Sequence, residues 1–192
     1  MNDQQQSRAE VTHSAHVFEF YRFMFAYDPD TGVLTKKKAP LLHGGFRDCN
    51  QIMQSNNGNG YLIARVNGHN RRVHRLAWEM HYSVDAPPIM DHINNDRADN
   101  RISNLREVGH AENQWNKSLN RNNSVGLKGA HYHKTSGKWA SHIRCRGKRK
   151  RLGLFETAEE AHEVYCLAAV MLHGEYANLG ERGRNDGIKQ AA

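Results

Sequence analysis

The segment from Lys138 to Gly174 leaves this chain few options. Trp139, Ser141, Ile143 and Cys145 alternate with Lys138, Ala140, His142, Arg144 and Arg146. A period of two predicts a strand with one packed face and one basic face. Gly147 marks a turn, and Lys148 to Phe155 reads as a second basic strand. Gly129 to Lys134 supplies a third. Thr157-Ala158-Glu159-Glu160 is a capping box, with Thr157 as N-cap and Glu160 reaching back. The helix it opens runs to His173, where Gly174 can end it. Ala161, Val164, Tyr165, Ala168 and Leu172 recur at three- and four-residue steps and form the stripe that covers the sheet. The product is a three-stranded antiparallel sheet backed by one amphipathic helix, its open face basic.

Charge sharpens this picture. Between Glu112 and Glu156 there is no acidic residue, while Lys117, Arg121, Lys128, Lys134, Lys138, Arg144, Arg146, Lys148, Arg149, Lys150 and Arg151 all fall in that window. The whole chain carries a formal net charge of +7 and a pI near 9.5. Both favour a polyanionic partner, and DNA phosphates are the natural one. Residues 114 to 124, with Lys117 and Arg121, read as a linker that follows the DNA. Hydrophobic content of 38% and a mean hydropathy of −0.83 imply a small core divided among modules. Cys49, Cys145 and Cys166 are far apart and form no C-x-x-C pair, so neither a zinc knuckle nor a disulfide framework is supported. A reducing cytoplasm fits. No apolar run is long enough to span a membrane, and the N-terminus lacks a signal-peptide core.

The chemistry is concentrated between residues 91 and 113. Asp91-His92-Ile93-Asn94 follows the extended backbone forced by Pro87-Pro88. Residues 88 to 94 read as a strand, Asn95-Asp96-Arg97-Ala98-Asp99-Asn100 as turn chemistry, and Asn104 to Val108 as a returning strand. Gly109 breaks that strand, and His110 to Ser118 has helical composition. A metal-dependent phosphodiesterase needs this inventory: a hard oxygen ligand, an imidazole to take a proton from water, and a second oxygen ligand from another element.

Here the chain resembles the HNH nucleases of the ββα-metal group, and most closely the small phage and intron-encoded homing endonucleases. The resemblance is carried by His74-Arg75-Leu76-Ala77-Trp78, Asp91-His92-Ile93-Asn94, Asp99-Asn100-Arg101-Ile102-Ser103-Asn104-Leu105-Arg106 and Glu112-Asn113. It implies that His92 is the general base, that Asp91 and Asn113 hold one divalent metal, Mg²⁺ or Mn²⁺, and that Asn104 braces the loop and orients His92. The family's last letter is usually His; Asn113 in its place suits a hard metal and weakens any case for zinc. Residues 124 to 179 resemble the Apetala-two/ERF-type DNA-binding domain through Gly129-Ala130-His131-Tyr132, Lys138-Trp139, Gly153 to Ala161 and His173 to Leu179. That resemblance implies a sheet laid into the DNA major groove, with Arg144, Arg146, Arg149 and Arg151 as contacts, then Lys138 and His131.

In the N-terminal region, Val17 to Phe25 is strongly apolar and fits either a helix, through Phe18, Tyr21 and Phe25, or a strand. Asp28 to Gly32 is a turn signal, and Val33-Leu34-Thr35 looks like a short strand ending near Lys36-Lys37-Lys38. Residues 39 to 58 read as loop. Gly60 to Val66, the Asn67-Gly68 turn and Arg71-Arg72-Val73 predict a hairpin. A helix from His74 to about His81 buries Leu76, Ala77 and Met80, and its end is open because Ser83 stands where the resembling proteins usually have Gly. Arg71, Arg72 and Arg75 are candidate phosphate contacts.

The expected organisation is α+β. A disordered tail over 1–16 precedes an N-terminal α+β region over 17–82. An HNH unit over 83–120 and a DNA-binding domain over 121–180 follow, and 181–192 forms a second tail. The expected function is a metal-dependent endonuclease of the homing type. It would nick double-stranded DNA as a monomer in the cytoplasm of a bacterial host, phage-encoded, with no membrane and no obligate protein partner. Its rivals are a non-catalytic DNA-binding regulator and an RNA-binding protein.

Overall fold

A computed structural model describes residues 16–119 and 123–180. Arg121 and the two predicted tails lie outside the described residues, apart from His16, which begins the first helix. The chain divides into two compact units, Met1–His92 with Asp96–Glu107, and Ile93–Asn95 with Val108–Ala192. Both mix short antiparallel sheets with helices, as the α+β reading requires.

In the first unit, helix α1 is described over residues 16–24 and leads into strand β1, Phe25–Tyr27. The helix buries Phe18, Tyr21 and Met24 against Leu34, Val66, Val73, Leu76 and Met80. This burial settles the open choice between helix and strand. β2, Leu34–Pro40, pairs with β1 on one side and β3, Phe46–Ile52, on the other. Lys36, Lys37 and Lys38 therefore lie within a strand, and much of the stretch expected as loop is sheet. β3 gave no two-residue signal because nearly all of it is exposed and neither face needs apolar residues.

β4, Ile63–Val66, and β5, His69–Arg72, form a hairpin closed by Asn67 at φ 47° and Gly68 at φ 81°. Two positive φ values are what a two-residue hairpin turn of this hand requires. Helix α2, Val73–Tyr82, buries Leu76, Ala77 and Met80 as expected. Ser83 ends it in the left-handed conformation at φ 57°, donating its N–H to the Glu79 carbonyl. The Arg22 guanidinium donates to the Met80 carbonyl at 3.0 Å and to Ser83 Oγ at 2.5 Å, which covers the exposed helix end. β6, Met90–His92, and β7, Leu105–Glu107, form the last hairpin, with Asp91 opposite Arg106 and His92 opposite Leu105.

The second unit contains helix α3, His110–Trp115, the sheet β8 (Ala130–His133), β9 (Lys138–Cys145) and β10 (Lys148–Phe155), and helix α4, Ala158–His173. The sheet runs in the order β10-β9-β8, antiparallel throughout. Both halves of the capping box are present at Thr157 and Glu160. Helix α4 buries Ala161, Tyr165, Ala169 and His173, and Tyr165 and Ala169 form the core with Ile143. The expected stripe is thus rotated. Leu172 is exposed and the neighbouring His173 is buried, because contact with the sheet follows a strict four-residue step.

One close approach in the first unit bears on function. A Cβ added to Gly32, which has φ 72°, would lie 2.4 Å from the Arg101 nitrogen and 2.6 Å from the Asn100 carbonyl carbon. The turn preceding β2 is therefore pressed directly onto the loop between β6 and β7. Gly32→Ala should lower unfolding free energy by about 2–4 kcal/mol, combining left-handed strain with backbone overlap. Gly44→Ala, at φ 90° with nothing within 4 Å, should show only the strain, about 1–2 kcal/mol. Urea denaturation of the two variants beside wild type measures the difference.

Candidate active site and basic sheet face

Pairing of β6 with β7 sets Asp91 across from Arg106. The guanidinium donates from Nη2 at 3.0 Å and from Nε at 3.2 Å, both to Asp91 Oδ2. Both side chains are largely buried. His92, the next residue, is 5% exposed. Burial pushes its imidazole below the usual range, partly opposed by Asn100 and by the charge of Asp91. It is therefore neutral at pH 7, the state a proton acceptor needs.

Nε2 of His92 lies 3.4 Å from Asn100 Oδ1. Oδ1 only accepts, so this contact favours the proton on Nε2 and the basic lone pair on Nδ1. Asn100 is 1% exposed and held from three directions. Its Nδ2 donates to the Ala98 carbonyl at 3.0 Å, and its carbonyl accepts from Tyr27 Oη at 2.8 Å. The next-but-one residue, Ile102, donates its N–H to the Pro29 carbonyl at 3.0 Å. Asn104 Nδ2 donates to the Asp99 carbonyl at 2.8 Å. That bond ties Asn104 to the loop, and Asn100, which the sequence reading had not singled out, is an amide beside the imidazole. The density of Asn in this loop hid it.

Tyr61 and His74 also border His92. The His74 ring meets His92 edge-on at 5.1 Å between centroids, and Tyr61 lies 5.2 Å from His74 and 6.0 Å from His92. Burial, followed by the charges of His92 and Arg72, pushes His74 down to about 3. Arg72 and Arg97 both place their guanidinium carbon over the Tyr61 ring, at 4.6 and 4.9 Å. The other candidate arginines of this region, Arg71 and Arg75, have partners within the fold. Arg71 makes a bidentate pair with Glu79, both bonds at 2.8 Å, and donates to Tyr21 Oη at 2.7 Å. Arg75 donates to the Ala86 and Pro87 carbonyls.

In the second unit Asn113 lies within α3, its N–H bonded to the Gly109 carbonyl at 3.1 Å. The helix is held from two sides. Trp115 stacks on His173 of α4, centroids 4.5 Å apart and planes 6° from parallel. The Lys128 ammonium donates to the carbonyls of Lys117 at 2.6 Å, Asn178 at 2.8 Å and Trp115 at 3.4 Å. Cations at a helix C-terminus are favourable, and the last carbonyls of α3 gain a partner. Lys117 therefore contributes its backbone here.

On the sheet, paired residues share a face. His131 pairs with Ala140, His133 with Lys138, Arg151 with His142 and Arg149 with Arg144. These positions carry the open face, away from the Ile143 side that meets α4. His131, Lys138, Arg144, Arg149 and Arg151 are thereby brought together. Arg146 sits in the turn at φ 49°, off the paired ladder. Lys138 forms an ion pair with Glu156. His142, already placed on this face by the two-residue period, is joined there by His133. His131 and His142 stack at 4.5 Å, and burial, then the charge of Arg149, pushes both below the usual imidazole range.

Residues 71–115 match the family model described as HNH endonuclease. That matched segment contains Asp91, His92, Asn104 and Asn113. Over 109 residues the chain is 28% identical to Protein 3.8 of Escherichia phage T7, spanning 56% of this chain and 89% of that protein. No solved structure matches. Among the described residues no helix is long and apolar enough to cross a membrane, and no group of three or more His, Cys, Asp or Glu side chains could hold a metal.

His74 supplies a check on the buried cluster. Its folded pKa lies below the unfolded value, so the stability it confers is complete above about pH 6.5 and is lost as pH falls toward 3. Between pH 7 and pH 5 its share of the loss should be about 2 kcal/mol. Urea denaturation at both values should show a pH-dependent loss smaller by that amount in His74→Leu than in wild type.

Proposed function

We propose that this chain is a metal-dependent DNA endonuclease of the homing type that nicks duplex DNA, with the β8-β9-β10 face finding the substrate. The observation that carries the reading is the β6–β7 hairpin, which presents a neutral, buried His92 beside Asp91 with its tautomer biased by Asn100. The HNH match over the same residues supports it.

In the proposed chemistry, Nδ1 of His92 accepts a proton from water, and the resulting hydroxide attacks the scissile phosphorus in line as the 3′ oxygen leaves. The products are a 5′-phosphate and a 3′-hydroxyl. The Asp91 carboxylate and the Asn113 carboxamide are hard oxygen donors of the kind that suits Mg²⁺ or Mn²⁺ and not zinc, and they would hold the ion. When bound, such an ion neutralises charge at the phosphate and the leaving oxygen. Asn104 keeps the loop closed, and Asn100 keeps the imidazole aimed. A monomer carries one such set and so cuts one strand.

For the sheet, the argument is electrostatic. Arg144 and Arg149 face each other directly, an arrangement that costs stability in water and is relieved by phosphate. The homologue in a phage supports a phage-encoded protein acting inside a bacterial host. A second reading, a non-catalytic DNA-binding regulator, draws on the Asp91–Arg106 ion pair, which engages the carboxylate within the fold.

Supercoiled plasmid incubated with wild type and Mg²⁺ should become open circle, EDTA should abolish the product, and His92→Ala should lose at least about 100-fold in rate with DNA affinity retained. Tight, salt-sensitive binding without any product would establish the regulator instead. Arg144→Met with Arg149→Met should flatten the dependence of log affinity on log salt by about two. An unchanged slope in a binding titration would remove the sheet from the reading.

A further inference from the structure

Most arginines in the first unit near the β6–β7 loop have internal partners. Arg71 is paired with Glu79, Arg101 with Asp99 and Arg106 with Asp91, while Arg75 is held by carbonyls. Arg72 and Arg97 differ. Both are exposed, and among the described residues neither forms an ion pair. Yet neither is loose. Their guanidinium carbons lie 4.6 and 4.9 Å from the centroid of one ring, that of Tyr61, and Arg97 is further fixed by a 2.8 Å bond to the Asn59 carbonyl. Two like charges on one aromatic ring repel each other; the ring offsets part of that repulsion, and an anion near both would offset more. Tyr61 belongs to the same ring cluster as His74 and His92.

We propose that Arg72 and Arg97, gathered on Tyr61, form a two-arginine clamp for the DNA backbone phosphates next to His92. This deepens the nuclease reading and rests on it for the position of the scissile bond. Arginine suits the task because its planar fork can bind phosphate bidentately while its face stays on the ring. Tyr61 acts through the two arginines and is a positioning residue. The clamp supplies what His92 cannot: it fixes the strand so that the phosphorus stands in front of the imidazole.

The test uses the full chain and a fluorescein-labelled duplex of mixed sequence, titrated by anisotropy in EDTA over a range of salt. Arg72→Met and Arg97→Met should each flatten the slope of log affinity against log salt by about one, and the double variant by about two. Arg101→Met removes the same charge from a paired side chain and should leave the slope unchanged. Tyr61→Phe keeps the ring and should bind like wild type, whereas Tyr61→Leu should bind about 3- to 10-fold more weakly. Both exposed arginine variants should melt at the wild-type temperature, which separates binding from folding. Wild-type slopes in both arginine variants, an equal loss in Arg101→Met, or no DNA binding by wild type would each overturn the clamp. Failure of the nuclease reading looks different. Slopes that fall as expected, with no plasmid nicked by wild type in Mg²⁺, would leave a phosphate clamp in a protein that does not cut.

Discussion

The first unit depends on the immobilisation of one amide. Asn100 is almost wholly buried, its side chain linked to the Ala98 carbonyl and to His92, its own carbonyl to Tyr27. A buried amide is costly unless its donors and acceptors are met, so this loop has little freedom to rearrange. The pressure of the Gly32 turn on the Asn100–Arg101 backbone closes the remaining direction. The N-terminal sheet, remote in sequence from the Asp-His pair, thereby becomes part of what aims the imidazole. Asp91 and His92 sit on strand β6, and the loop that follows them is held firmly against the first unit.

A second regularity is the division of labour among the arginines. Where a guanidinium meets a buried carboxylate, as Arg71 does with Glu79 and Arg106 with Asp91, it stabilises the fold and has little left for a ligand. Where it rests on an aromatic ring or on an open strand face, its charge remains available. Sequence proximity to the Asp-His pair does not separate these cases; the packing partner does. A tyrosine here does the work that a carboxylate does elsewhere, holding a cation in place without neutralising it.

Much of this was legible in the residues. The capping box at Thr157, the Asn67-Gly68 hairpin and the alternation along β9 each rest on local chemistry, and local chemistry is what a sequence displays. The failures share a cause as well. β3 was hidden because an exposed strand has no apolar period to reveal it. Leu172 was placed inside because a helical stripe does not disclose how far it is rotated, and His173 took its place. The partners Arg106 and Asn100 depend on strand register and on how a twelve-residue loop closes, which no short-range pattern encodes.

The opposed arginines of the open sheet face carry a last consequence. Arg144 and Arg149 face each other with the stacked pair His131 and His142 close by, and no carboxylate shares their rungs. Dissolved ions screen such repulsion, so added salt should make the bare sheet more stable. The same ions would compete with any polyanion for that face and weaken its binding. Ionic strength thus acts with opposite sign on the endurance of the module and on its hold on a polyanion. A buffer that keeps the protein longest would be the one in which such binding is weakest, and a polyanion bound there would act as a stabiliser in its own right.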